Sequence, residues 1–415
     1  MKSWRFLALS VLALILWSGV ATGAPLEHYE GLTVYGDKVY ALVSRADHNP
    51  DLTLDYHPSK IVEFNAALVK QRELVLQNGT ETAKNSTSFA LHNGKLYVGS
   101  VGGMVQNDEG GDVWEVDIGN WTARKLLSVK DATGNPWGVS GLEIATDGRV
   151  FILVGGYDAS WNFVARLYIT AVADLSAGTI GLETSVLSGG GYSWGIAWSE
   201  FDQILWMMAG TEIQARSING ALRETFTPSQ LGDNIYAISP LEGGGLFYTV
   251  SNYVNGSAGL ITRTGSNYTV RPNLVTNLGG DAAGFAFKNK NGVPGFLLRE
   301  FNFGANDIVY IYDARGDFSA PIVNVSNWGT NINSITTLGD FLYFGTYESY
   351  ESGNPNQLSG EIGRVDMSDW WDDESPDPDP IVPGKSSGGG GCDFGFGAAI
   401  LLLLIPATLV KYRKR

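Results

Sequence analysis

The sequence is poor in cysteine, histidine and basic residues, and each scarcity excludes a class of protein. Its only cysteine is Cys392, so the chain can form no internal disulfide and no zinc or haem site built on thiolates. It contains 28 Lys and Arg against 43 Asp and Glu, a formal net charge of −15. A chain this acidic is repelled by phosphate backbones, so we expect no nucleic-acid partner.

The first 23 residues have the layout of a secretory signal peptide. Lys2 and Arg5 precede an apolar run at 6–20, which is followed by the small residues Ala21 and Gly23. We expect cleavage after Gly23 and export of the remaining chain.

The last residues, 392–415, form a second candidate targeting segment. An apolar stretch at 394–410 is 17 residues long and is followed by a basic tail at 411–415. About 17 residues is the lower limit for a membrane-spanning helix, and cationic residues stay on the cytoplasmic side. The sequence therefore predicts a short transmembrane helix, and Pro406 within it favours a transient one.

Glycines at 388–391 lead directly into Cys392 and the apolar stretch. This order of glycines, cysteine, apolar segment and basic end resembles the Synergistes-type C-terminal sorting signals (Synerg-CTERM), relatives of the GlyGly and Myxo types. The resemblance implies cleavage near Gly391 and Cys392 by an intramembrane sorting protease, transfer to a surface anchor, and modification of Cys392, for example by lipid. An ordinary C-terminal membrane anchor with an incidental cysteine is the alternative.

Between the targeting segments, one strand–turn–strand unit recurs seven times. The chain has 53 glycines and 12% aromatic residues but little helical periodicity, which favours strands separated by tight turns. The units lie at 31–43, 88–100, 141–154, 195–208, 236–250, 284–298 and 332–346. A period of about 40 to 50 residues with four strands per unit is typical of a β-propeller. We therefore predict an all-β, seven-bladed β-propeller over 24–371, with a large sandwich or a six-bladed ring as the alternatives.

The two ends of this body have separate predictions. The last unit offers three clear strands, ending at 360–366, and we expect an N-terminal strand at 26–29 to complete the last blade and close the ring. Residues 372–391 are acidic at first and rich in Pro, Gly and Ser, so we expect an extended stalk between the propeller and the sorting signal.

One face of the propeller is the predicted binding face. The loops that join the second and third strands of a blade are long in the first blade (45–59), the second (102–111) and the last (348–359), and long loops usually carry function. Aromatic rings cover the C–H surfaces of sugars, while amides and carboxylates bind hydroxyl groups. The predicted ligand contacts on this face are Trp137, Trp161, Tyr192, Trp194, Asn234, Asp281, Asn333 and Tyr347.

The first of these loops is also a candidate metal site. It gathers carboxylates and imidazoles that could bind a divalent cation such as calcium or zinc. The predicted ligands are Asp47, His48, Asp51, Asp55 and His57. A G-x-S-x-G pattern at 191–195 is excluded as a hydrolase nucleophile, because all four histidines precede it and a strand follows it.

Together these features favour an exported, membrane-anchored binding protein at the cell envelope or cell surface that recognises a glycan, a peptide or a partner protein. Propellers also host enzymes, so a metal-dependent hydrolase, lyase or lactonase is the first alternative. A structural surface-layer component is the second.

Overall fold

The computed structural model describes most of the predicted propeller body. The described residues are 25–48, 54–102, 111–129, 137–157, 163–178, 182–187, 195–241, 243–252, 254–279, 282–301, 306–316, 318–350, 357–368 and 370. The predicted signal peptide, the stalk and the C-terminal sorting segment lie outside these ranges. Within them, no helix is long and apolar enough to cross a membrane.

The described chain forms seven antiparallel sheets in sequence order, which we call the first to the seventh blade. The first blade contains β1 (Leu26–Tyr35), β2 (Lys38–His48), β3 (Leu54–Asn65) and β4 (Lys70–Val75), followed by a two-stranded ribbon of β5 (Gln77–Asn78) and β6 (Glu81–Thr82). The second contains β7 (Ser86–His92), β8 (Lys95–Ser100), β9 (Asp112–Asp117) and β10 (Thr122–Ser128). The third contains β11 (Gly138–Ile144), β12 (Arg149–Tyr157), β13 (Phe163–Ala171) and β14 (Leu182–Leu187).

The remaining blades follow the same order. The fourth contains β15 (Ile196–Ser199), β16 (Ile204–Ala209), β17 (Glu212–Ser217) and β18 (Leu222–Phe226). The fifth contains β19 (Ile235–Pro240), β20 (Leu246–Ser251), β21 (Asn255–Thr264) and β22 (Asn267–Gly279), and the sixth β23 (Ala282–Lys288), β24 (Pro294–Glu300), β25 (Ile308–Asp313) and β26 (Val323–Val325). The seventh contains β27 (Thr330–Leu338), β28 (Phe341–Tyr350), β29 (Gln357–Ser359) and β30 (Ile362–Asp366). Short helices at Val172–Ser176 and Pro228–Leu231 lie between strands.

The first strand of each blade is the innermost, and these seven strands form a closed ring. Each packs against the first strand of the next blade, and β27 packs against β1 to complete the circle. Apolar clusters fill the spaces between neighbouring blades, as when Phe151 of the third blade stacks on Trp198 of the fourth at 5.0 Å. The all-β, seven-bladed propeller predicted from the repeats is therefore confirmed.

Each innermost strand carries a small residue at the same height of the ring. The set is Gly31, Ser88, Gly141, Gly195, Ala237, Ala283 and Ser334. A Cβ atom added to Gly141 would lie 2.8 Å from Cγ1 of Ile196 on the next blade, which is closer than real Cβ contacts. The strands converge near the axis, so this height has room only for small side chains.

The ring closes differently from the prediction for residues 26–29. These residues begin β1 itself, where Leu26 pairs with Ala46 of β2, and they do not form a separate outer strand of the seventh blade. The start of β1 still touches that blade, because the Glu27 N–H donates to Ser359 Oγ at 3.0 Å and the Gly360 N–H donates to Glu27 O. Side-chain and backbone contacts, rather than a shared strand, therefore join the two ends of the ring.

Candidate functional site

The first strands begin, and the second strands end, on one face of the ring, which we call the mouth face. Two β-hairpins project from it on neighbouring blades. The segment 45–59, predicted as a loop, is mostly strand, since β2 and β3 continue to pair as far as His48 opposite Leu54. The segment 348–359 behaves in the same way, with Glu348 opposite Ser359. The loop prediction for these two segments is wrong, because the backbone pairing of their strands continues beyond the blade. Residues 49–53, 103–110 and 351–356 lie outside the described residues.

Towards the mouth face, most of the innermost strands carry a β-bulge with a polar side chain. Five of the seven strands have one extra residue in the pairing with the second strand. The extra residues are Glu30, Thr87, Ser140, Tyr236 and Asn333. Bulges of this kind redirect a side chain and are frequent beside functional sites. These extra residues lie on the mouth side of the ring of small residues.

Glu30 and Asn333 meet across the seam between the seventh and first blades. Asn333 Nδ2 donates to Glu30 Oε2 at 2.8 Å, and Ser44 Oγ donates to Glu30 Oε1 at 2.7 Å. Glu30 lies on β1 and Asn333 on β27, and these two innermost strands are neighbours in the ring. The hydrogen bond between the two side chains therefore spans the space between these strands. Glu30 is 1% exposed, and burial raises its pKa to about 7 although the two hydrogen bonds oppose the rise. Glu30 and its partners form what we call the seam cluster.

An aromatic pair lies beside the seam cluster. The His28 ring stacks on Tyr347 at 4.0 Å with an interplanar angle of 16°, and His28 Nδ1 contacts the Tyr347 carbonyl oxygen. Both residues are buried, His28 completely and Tyr347 to 2% exposure. The predicted contacts Asn333 and Tyr347 are thus brought together at one seam. Sequence reasoning missed Glu30 and His28, because only the ring closure brings them to the end of the chain.

Several polar atoms near this seam have no hydrogen-bond partner among the described residues. They are Asn331 Oδ1, Asn333 Oδ1, Ser334 Oγ and Tyr56 OH. Buried polar groups are nearly always satisfied, and an unsatisfied one costs about 1–3 kcal/mol. Such a concentration of unsatisfied atoms marks a place where a ligand or ordered water can supply the missing partners.

A buried ion pair lies at the next seam, between the sixth and seventh blades. Arg299 and Asp307 are both 0% exposed and lie 3.9 Å apart. Both bind the backbone of Ile332, since Arg299 Nε donates to its carbonyl at 3.1 Å and Asp307 Oδ2 accepts from its N–H at 2.8 Å. The pair therefore fixes the backbone of β27 at Ile332, directly before Asn333. No sequence pattern predicts this pair, because its contacts depend on Ile332, a residue of another blade.

The third blade contributes one isolated acid, Glu143. Glu143 is paired with Phe151 of β12, so the two side chains lie on the same face of the sheet. Phe151 stacks on Trp198 of the fourth blade, so this face is directed at the fourth blade. It is 8% exposed, and burial raises its pKa well above the ordinary value. Equivalent positions in five other blades hold the small residues Thr33, Ala90, Ala197, Ser239 and Thr336. The third blade therefore has an acidic residue at a position where these five blades have a small one.

The predicted metal ligands are only partly assembled. His57 Nε2 and Asp47 Oδ2 are hydrogen-bonded at 2.8 Å, each side chain being 38% exposed, and Asp55 lies opposite Asp47 in the hairpin. His48 lies at the end of β2, while Asp51 lies outside the described residues. No three acidic, histidine or cysteine side chains within the described ranges lie close enough to hold a metal ion. The metal site stays a prediction.

The other predicted ligand contacts differ in their surroundings. Trp137 is 3% exposed, and its ring is covered by the Arg166 guanidinium at 4.7 Å, so a ligand could reach the ring only if that cover moved. Asn234 is exposed on the mouth face just before β19. Four predicted contacts lie outside the described residues, namely Trp161, Tyr192, Trp194 and Asp281.

Comparison with known proteins identifies a shared fold and no family. No protein-family model matches the chain, and no curated protein matches it. A puromycin-hydrolysing peptidase of Mycobacterium tuberculosis superposes with a TM-score of 0.53 and 12% identity, over 85% of this chain and 53% of that one. This chain therefore spans about half the length of that peptidase. At this identity the likeness shows the propeller fold alone.

Two further structures give lower scores. The β-propeller domain of the Trilobed protease from Pyrococcus furiosus has a TM-score of 0.47 and 15% identity, over 84% of this chain and 99% of that one. The periplasmic gluconolactonase of Pseudomonas aeruginosa has a TM-score of 0.48 and 12% identity, over 79% of this chain and 99% of that one.

Proposed function

We propose that this protein is an exported binding protein, anchored to the cell envelope by its C-terminal segment, that recognises a glycan, a peptide or a partner protein at the mouth face. The single observation that carries the proposal is the seam cluster with its unsatisfied neighbours. Glu30, Asn331 and Asn333 bring carboxylate and amide oxygens together where two hairpins project from adjacent blades. A ligand rich in hydroxyl or amide groups supplies the donors that the amide oxygens of Asn331 and Asn333 lack.

The chemistry of the cluster explains the expected ligand class. Oxygen acceptors and hydroxyl groups predominate at the seam, and the Glu30 carboxyl has no basic partner among the described residues. Hydroxyl and amide N–H groups can bind such a surface without bringing a charge into it. The acidic composition of the chain also disfavours an anionic ligand at this face.

The proposal is tested with glycan and peptide arrays, followed by titration of the ligand that binds. Asn331→Ala and Asn333→Ala each remove one acceptor, and a hydrogen bond contributes about 0.5–1.5 kcal/mol, so we expect binding to weaken about 2- to 10-fold for each. Asn291→Ala is the matched control, because Asn291 is an exposed asparagine in the turn between β23 and β24 on the opposite face. Trp161→Ala and Trp194→Ala test the aromatic part of the prediction.

Two results would count against this function. Full binding by both asparagine variants would separate the ligand from the seam cluster. Equal loss in Asn291→Ala would mean that the effect is a general loss of folding, which thermal unfolding of each variant would also reveal.

A further inference from the structure

Among the described residues, the outer edge of the seventh blade is uncovered. In the other six blades a fourth strand covers the third, whereas no described residue pairs with the outer side of β30. The Thr346 N–H donates to Glu361 O at 2.9 Å and the Met367 N–H donates to Asp340 O at 2.7 Å. Backbone groups alternate along a strand, so those of Ile362, Arg364 and Asp366 point away from β28. An uncovered edge of this kind is a template for another strand.

The chain itself continues towards this edge. β30 ends at Asp366 on the face opposite the mouth, and the Trp370 N–H donates to Met367 O in a turn. Trp370 then stacks on Trp328 at 6.2 Å, which fixes the turn against the base of the sixth and seventh blades. In the other blades the third strand is followed on this same face by a connection to the fourth, for example the segment 314–322 between β25 and β26. The residues after Trp370 therefore start where a fourth strand must start.

The sequence of those residues suits an edge position. Pro376, Pro378 and Pro380 alternate with Asp377 and Asp379. Proline lacks an N–H, so within a sheet it is confined to positions whose backbone faces solvent. Prolines at every second residue leave the intervening N–H groups on one side of the strand, free to pair with β30. The outer side then has no donors at those positions, which prevents a further chain from adding to the sheet.

Charge complementarity favours one register for a strand added to β30. Arg364 is the only basic residue of β30; its side chain is exposed, lies over the Phe341 ring at 4.4 Å and donates to Ala66 O at 2.7 Å. Placing Asp377 opposite Arg364 sets a carboxylate beside the guanidinium on the same face of the sheet. The same register places Ser375 opposite Asp366 and Asp379 opposite Ile362, and it leaves every proline nitrogen facing outward.

We propose that residues 375–379 add to β30 as the fourth strand of the seventh blade, antiparallel to it and with Asp377 opposite Arg364. This strand runs from the opposite face towards the mouth face, so the rest of the chain leaves the propeller at the rim of the mouth. The free spacer then begins at Pro380 and is shorter than the predicted stalk. The proposal is independent of the ligand that the mouth face binds.

The register is tested by disulfide formation in the full chain with Cys392→Ser. Directly opposed residues in a hydrogen-bonded antiparallel pair have Cα atoms about 5.5 Å apart, within the disulfide range. We expect Ile362→Cys with Asp379→Cys to form an internal disulfide under mild oxidation. The matched control is Ile362→Cys with Pro378→Cys, whose side chain is directed to the other face of the sheet. Equal cross-linking of the two pairs, or none in either, would overturn the proposed strand.

A second measurement does not depend on introduced cysteines. Asp377→Pro removes an N–H that pairs with β30, and we expect it to lower the melting temperature by about 1–2 °C. Pro378→Ala changes a residue whose nitrogen faces outward, so we expect no such loss. Equal melting temperatures for Asp377→Pro, a chain ending at residue 371 and the unmodified protein would contradict the proposal.

Discussion

Replacement of Glu30 by Gln is the most informative perturbation of the seam cluster. The Glu30 carboxyl is buried between Ser44 of β2 and Asn333 of β27. Burial raises the pKa of the Tyr56 hydroxyl on β3, and the nearby Glu30 charge raises it further. Gln has the same shape and still accepts a hydrogen bond, but it cannot ionise. The substitution therefore isolates the cost of the buried charge.

The expected magnitude follows from the raised pKa. Burial moves the pKa of Glu30 from 4.5 to about 7, so between these values the folded protein holds a proton that the unfolded chain has released. The stabilisation by this group is complete below pH 4.5 and is lost as the pH rises through about 7. One pKa unit corresponds to about 1.4 kcal/mol, so the loss amounts to about 3 kcal/mol.

Urea unfolding followed by tryptophan fluorescence measures this loss. We expect wild type and Glu30→Gln to have similar unfolding free energies at about pH 4, and the variant to be about 3 kcal/mol more stable at about pH 8. Glu224→Gln, at an exposed position of β18, is the control and should follow wild type throughout. A difference between wild type and Glu30→Gln that does not change with pH would refute the reasoning.

Three further predictions concern packing and charge between neighbouring blades. Gly284→Ala should destabilise the protein by about 1–3 kcal/mol, because a Cβ atom there would lie 2.3 Å from Cε1 of Phe247. Gly243→Ala is the control and should not destabilise it, because a Cβ atom at Gly243 would have no atom within 4 Å. Thermal melts of the two variants test this. Trp137→Ala should cost about 3–5 kcal/mol in urea unfolding, since the indole is buried between blades; a loss below 1 kcal/mol would contradict that packing. Glu143→Gln should raise the unfolding free energy at neutral pH and leave it unchanged in acid, and an unchanged value at both would show that the Glu143 charge carries no cost.

The repeat architecture could be predicted because it depends on local chemistry. Four predicted units begin at small residues of the inner ring, Gly31, Ser88, Gly141 and Gly195, and tight turns at Gly36 and Gly148 adopt the positive φ that glycine favours. Sequence spacing is therefore sufficient to count the blades.

The arrangement of the site could not be predicted in the same way. A bulge such as the one at Glu30 is a property of the pairing between two strands, and neither strand reveals it alone. The contact of Asn333 with Glu30 joins residues 303 positions apart and exists only once the ring has closed. Glu143 did leave a signal, since it is an acid where five other units have Ala, Ser or Thr, but that signal is readable only after the units are aligned by their strand pairing.

The central claim is that the mouth face, at the seam between the seventh and first blades, binds the ligand. Hydrogen exchange of the backbone, compared with and without the ligand found on the arrays, locates that site directly. The account predicts slower exchange in the two projecting hairpins and at the starts of β1 and β27. Protection confined to turns of the opposite face, such as that at Gly148, would contradict it.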